Sequence, residues 1–195
     1  MDANAYAHAP PRRWNTRGRN QNTDEIIMTH PLVTQLRFTR SEFQRALEGL
    51  SEEDARKRLM PMNCISWNVG HLAWQEQRYF LTFAQGKVLL PKIQEEFRYG
   101  APGSTPSLAE MSSAWQTITH AADEWLDAVT TEKLLEIYHH PLGEWSTSFG
   151  NLLQRVIYHY WYHTGENMAI RQMLQNQGLQ DFVGNIDDEA PYRVE

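Results

Sequence analysis

Between Asn151 and Leu174, the apolar residues Leu152, Val156, Ile170 and Leu174 recur on one side of a helix, and two histidines, His159 and His163, stand in the same stripe. At about 100° per residue, His163 and Glu166 fall within about 60° of His159, together with those four aliphatic side chains. Such a segment must bury one long face against other elements, which rules out an isolated or fully solvated helix. Two imidazoles four residues apart project from that face about one turn apart, so both can reach a single ion. A buried imidazole needs partners for both ring nitrogens, and two stacked on a core face are hard to satisfy with ordinary side-chain hydrogen bonds. The two readings are a shared metal, which then needs a third ligand from another helix, or a pair of individually satisfied core histidines.

Three further segments carry helical spacing. The first opens near Thr29 with Pro31 in its first turn, and runs through Leu32, Leu36, Phe43, Leu47 and Leu50. Ser51-Glu-Glu-Asp54 has the form of a capping box and predicts a short helical turn through Leu59, stopped by Pro61. The second long helix is predicted from Cys64 to Ala84, rich in aromatic residues and ended by Gly86. On it, Asn68, Gln75, Arg78 and Thr82 lie within about 60° of His71, so His71 stands where an apolar stripe meets a polar one. Such a face either lines a cavity or meets water.

The connection of about 20 residues after Gly86 holds Pro91, Gly100, Pro102, Gly103 and Pro106, too many breakers for a long helix; loops of this length tend to form functional walls or lids. Capping signals in Thr105-Pro-Ser-Leu-Ala-Glu110 start the third helix, whose stripe of Leu108, Met111, Trp115, Ile118, Ala122 and Leu126 is ordinary core. His120 is isolated there and receives no role. His139-His140-Pro141-Leu-Gly143 reads as an irregular turn or short strand, and its adjacent histidines point in different directions. Ser146, Thr147 and Ser148 supply the N-cap of the fourth helix, expected to reach Gln177 before Gly178. Four amphipathic helices, no convincing strand and no repeat predict an all-α, up-down four-helix bundle with a long irregular loop between helices 2 and 3. The bundle is expected over residues 26–180, after a flexible leader over 1–25 and before a C-terminal tail over 181–195. Ile157, Trp161 and Met168 make the fourth helix apolar on its other side too, which predicts a homodimer packed through that face.

The net charge of −6 argues against a general nucleic-acid or anionic-membrane surface. Arg12, Arg13, Arg17 and Arg19 form the one basic cluster, in a leader without apolar periodicity that reads as a solvated tail. No apolar segment follows Arg12-Arg13 as an export signal requires, and no run approaches the roughly 18 apolar residues of a membrane span, so a cytoplasmic protein is expected. Cys64 is the only cysteine, which excludes an internal disulfide and leaves histidine and oxygen as metal ligands.

Trp67-Asn-Val-Gly-His-Leu-Ala-Trp74, Val156-Ile-Tyr-His-Tyr-Trp-Tyr-His-Thr-Gly-Glu166 and Ala169-Ile-Arg-Gln-Met-Leu174, with Phe97-Arg-Tyr-Gly-Ala-Pro-Gly-Ser-Thr-Pro106, resemble the DinB-like superfamily. The resemblance spans most of the chain from Thr29 to Gln177. It implies a four-helix bundle, often dimeric, with one divalent metal ion held by a histidine of the second helix and two of the last, the positions of His71, His159 and His163. Some members resemble transferases or isomerases that use small thiols such as bacillithiol or mycothiol. On this basis the expected function is metal-dependent thiol S-transfer to a small-molecule substrate, with Zn, Ni or Fe as the ion and a low-molecular-weight thiol as co-substrate. Gln75, Arg78 and Glu166 are the expected catalytic residues, from the faces they share with the ligands. Cys64, two turns from His71, reads as packing. The alternatives are a metal-dependent hydrolase, with Glu166 or, less well placed, Glu76 as general base, and a non-catalytic bundle whose metal is structural.

Overall fold

The computed structural model describes residues 29–194; the leader and its arginines Arg12, Arg13, Arg17 and Arg19 lie outside the described residues. Helix α1 (Pro31–Arg45) starts on Pro31, with the His30 side chain accepting from the Leu32 amide at 3.1 Å. Ser51 caps α2 (Glu52–Arg56) by accepting from the Asp54 amide at 3.1 Å. That helix ends at Arg56, short of the expected Leu59, because Lys57 is already extended.

Helix α3 (Ile65–Glu76) continues without a break into a π-helical stretch over Gln77–Phe83, and Gly86, at φ +68°, ends it as its sequence predicted. The breaker-rich connection folds back on α3 through a short helix α4 (Pro91–Glu96). Gln77 anchors it, accepting from the amides of Leu89 and Leu90 and donating to the Leu90 carbonyl. Helix α5 (Leu108–Asp127) is capped by Ser107, which accepts from the Glu110 amide.

The segment before the last long helix contains more structure than the sequence predicted. A short helix α6 (Thr131–Leu135) leads into an antiparallel hairpin of β1 (Ile137–His139) and β2 (Ser146–Ser148), in which Tyr138 pairs with Thr147. Gly143 at φ +71° turns the chain between them. Tyr138 stacks on Phe83 at 4.2 Å, so tertiary aromatic packing holds a hairpin too short to be stable alone. Helix α7 (Phe149–Met173) is capped by Ser148 and ends earlier than expected, where Gln175 enters the left-handed region at φ 61°. A last turn, α8 (Ile186–Glu189), completes the described chain.

The protein is predominantly helical, and the long helices share one core. Helix α3 lies against both α5 and α7, and α1 lies against α7. Leu36 and Phe43 of α1, Leu72 of α3, Phe80 of the π-helical stretch, Ile118 of α5 and Leu153 of α7 are essentially inaccessible. Burying each such side chain contributes about 1.5–3 kcal/mol. Among them runs a polar seam. Arg40 forms a two-pronged ion pair with Glu76, through Nε–Oε1 at 2.8 Å and Nη2–Oε2 at 2.6 Å, and its Nη1 reaches Asp123 at 2.9 Å. Tyr160 donates to Glu76 at 2.9 Å and accepts from Trp115. This network ties all four long helices together.

The face of α7 that predicted a second subunit is partly used within the chain. Ile157 is buried, and Trp161 packs on Phe38 of α1 at 6.4 Å, so α7 has apolar neighbours on two sides without a partner. The C-terminal segment runs along α1: the Gly184 amide donates to Glu42 at 2.7 Å, and Gln35 donates to the Ala190 carbonyl at 2.7 Å. No helix among the described residues is long and apolar enough to cross a membrane.

Candidate metal centre

Helices α3 and α7 bring His71, His159 and His163 together, with one ring nitrogen from each lying within 4.8 Å of the others. His71 is clamped between Trp67 and Trp74, stacked at 5.0 and 5.1 Å, and its ring stands edge-on to those of His159 and His163. The aromatic wealth of α3 thus fixes the orientation of one imidazole.

Each ring is also held by an oxygen at its Nδ1. His71 Nδ1 meets the Phe97 carbonyl at 2.7 Å, His159 Nδ1 meets Gln75 Oε1 at 2.9 Å, and His163 Nδ1 meets Glu166 Oε2 at 2.7 Å. A carbonyl and a carboxylate can only accept, and the amide oxygen of Gln75 does the same, so Nδ1 carries the proton in each neutral ring. The three Nε2 atoms are then left with lone pairs. His159 Nε2 and His163 Nε2 approach to 3.0 Å. Two lone pairs at that separation repel, and a cation between them removes the repulsion. Ligand nitrogens of a tetrahedral ion with bonds of about 2.0–2.1 Å stand about 3.3 Å apart, close to the separation found. The donor set therefore fits a divalent ion such as zinc, nickel or iron.

The electrostatics agree with neutral ligands. Burial pushes His71 down to about 4, against a smaller opposing effect of the Phe97 carbonyl. Burial also pushes His159 down to about 3, with the other two histidines and Arg155 acting in the same direction. Both rings are neutral at neutral pH, with Nδ1 protonated and Nε2 free, the state a metal requires.

Gln75, Arg78 and Glu166 all lie at or beside the cluster, but in different relations to it. Gln75 and Glu166 contact the histidines through Nδ1, and Glu166 Oε2 also accepts from Asn68 at 3.0 Å. These contacts are those of groups that orient ligands. Arg78 is on the π-helical stretch, its guanidinium over Trp74 and Phe83 at 5.3 and 5.2 Å. It lines a cleft of about 730 Å³ that opens at His71 and His159. Glu76 is fully buried in the ion pair with Arg40, away from the cluster. Cys64 is buried and contacts Ser66 and Ser104. His120 is exposed, while His139 and His140 sit on the hairpin, bonded to Ser146 and facing Glu144.

Sequence reasoning missed the Phe97 carbonyl, because a backbone oxygen has no residue-type signature. It also passed over Arg155, which lines the cleft and stands four residues before His159, on the same face of the helix. That spacing was the available signal. Tyr99, Tyr158 and Tyr162 line the cleft while remaining largely exposed.

A predominantly helical fold with three convergent histidines defines a helical protein with a group able to hold a metal ion. The family model of the DinB superfamily matches residues 35–166, and the chain belongs to that superfamily. Comparison with curated proteins gives no match.

Proposed function

We propose that the protein is a metal-dependent enzyme that transfers a small thiol to an electrophilic substrate, on a bundle of up-down connectivity. The observation that carries the reading is the arrangement of the three histidines: every Nδ1 is occupied by an oxygen acceptor, and the Nε2 atoms converge beside an open cleft. His71, His159 and His163 would hold one divalent ion, whose open position would supply Lewis-acid stabilisation of a thiolate at neutral pH. Trp67 and Trp74 fix the His71 ring, and Gln75 and Glu166 fix those of His159 and His163, so the site is organised before any ligand arrives. Arg78 and the exposed tyrosines provide a polar and aromatic wall for the organic part of thiol or substrate.

The hydrolytic alternative needs a general base free to take a proton from water. Glu76 is committed to Arg40, and Glu166 is held through Oε2 by His163 and Asn68, which leaves Glu166 Oε1 for that role. The test is turnover of monochlorobimane with bacillithiol, mycothiol and simpler thiols, using metal-loaded and chelator-stripped protein. A thiol-dependent rate confined to the loaded protein is expected. A rate no higher than the stripped control, for any thiol, removes the transferase reading.

A further inference from the structure

Arg78 and Arg155 stand between two neighbouring cavities. Both line the cleft of about 730 Å³ at the histidines and also a second cavity of about 380 Å³ that runs to Trp145, Ser146 and Thr147 of the hairpin. Among the described residues, no aspartate or glutamate lines either cavity, although the chain carries a net charge of −6. Six other arginines are matched: Arg37, Arg40 and Arg45 pair with carboxylates, and Arg56, Arg58 and Arg171 donate to backbone carbonyls, whereas Arg98 and Arg193 line neither cavity. Among the described residues, no carboxylate lies within ion-pair reach of Arg78 or Arg155. Arg78 is nevertheless held in place by the aromatic rings of Trp74, Tyr79 and Phe83 at 5.2–5.9 Å. Two guanidinium groups without counter-charges, one of them fixed by its neighbours, make a receptor for an oxyanion.

We infer that the ligand of this cleft is an elongated organic anion, with a carboxylate or phosphate held between Arg78 and Arg155, its reacting end toward the histidines and its far end against the hairpin. This assignment rests on the proposed function for the direction of the ligand, but not for the anion site itself. The aromatic walls suit an unsaturated or alkyl body between the two ends. The hairpin thereby acquires a role: it closes the far compartment, and Tyr138 stacked on Phe83 connects it to the stretch that carries Arg78.

The test uses probes that carry no thiol and need no metal. Binding of 1-naphthylacetate, 1-naphthylmethylphosphonate and the neutral 1-naphthylacetamide is measured by titration calorimetry on wild-type protein, stripped and metal-loaded. At least one anion should bind ten-fold or more tightly than the amide, and which one distinguishes carboxylate from phosphate as the recognised group. Arg155→Gln is exposed and should fold normally; it should lower that preference several-fold, Arg155→Lys should restore part of it, and Arg78→Gln/Arg155→Gln should abolish it. Equal binding of anions and amide by wild type, or a preference unchanged in the folded double variant, overturns the assignment. Anion preference in stripped protein alongside failure of the bimane assay would sink the transferase reading and leave this one standing. The reverse result would do the opposite.

Discussion

At the residue scale, the cluster works by division of labour within each imidazole: one nitrogen is tied to an oxygen, and the other is turned toward its neighbours. Loss of one ring should therefore break the chelate, whereas loss of an unrelated histidine should not. His159→Ala is expected to lose most of the metal retained by wild type after dialysis, and His120→Ala to keep it, as read by elemental analysis. Equal metal content in the two variants would contradict the assignment. The depressed basicity of His71 and His159 also has a consequence for stability. The unfolded chain takes up protons on these residues near 6.5, but the folded protein refuses them until about 4 and about 3. Their contribution is complete above about pH 6.5 and is lost as the pH falls toward those values, by up to about 1.4 kcal/mol per pH unit for each histidine. Urea unfolding of stripped protein at pH 7.5 and 5 should show a lower midpoint at the acid value. The histidine pair and its face were legible in the sequence because i, i+4 spacing fixes direction on a helix. The acceptors were legible only in part: Gln75 and Glu166 share faces with the ligands, but Phe97 reaches His71 from a loop.

At the element scale, the caps did what their residue types predict, Ser51, Ser107 and Ser148 each accepting from an amide three residues on. Of the hairpin, a turn or short strand over residues 139–143 was legible, but its pairing with Ser146–Ser148 was not, since Tyr138 is held by stacking on Phe83, a contact between segments far apart in sequence. Two glycines of the long helices separate local from tertiary effects. A Cβ on Gly70 would come within 2.7 Å of Phe97 and 2.8 Å of Met111, whereas one on Gly165 would meet nothing within 4 Å. Gly70→Ala is expected to destabilise by about 1–3 kcal/mol despite its better helix propensity, because the neighbours are packed rings and a buried thioether. It should also weaken metal binding, since it displaces the residue whose carbonyl holds His71. Gly165→Ala should raise stability by about 0.5–1 kcal/mol. Thermal melts of both variants check the pair; a stabilised Gly70→Ala would show that the α3 contact yields easily.

At the scale of the whole molecule, the long helices are joined by a buried ion pair as well as by apolar packing. Glu76 is inaccessible, and Arg40 is its charge partner, so Arg40→Met leaves a buried carboxylate without a counter-charge and with only the Tyr160 hydroxyl as donor. The expected loss is about 3–5 kcal/mol, while Arg40→Met/Glu76→Leu should recover much of it. A double variant as unstable as the single one would show that Tyr160 and Asp123 need the charges in place. This network was not predicted, because a sequence does not show which arginine will meet which glutamate once four helices are assembled.

What the chain determined by itself was local and periodic: helical segments, their caps, the apolar stripes that demand a common core, and the face on which His159 and His163 lie. Those properties follow from bonds and side-chain directions within a few residues. The family resemblance pointed to His71 as the third member, but tertiary structure alone decided that Phe97 would orient it, that Glu76 would be spent on Arg40, and that Arg78 and Arg155 would line one cleft. Each of these depends on the distance between residues that only packing brings together, and charge, desolvation and coordination all act through that distance.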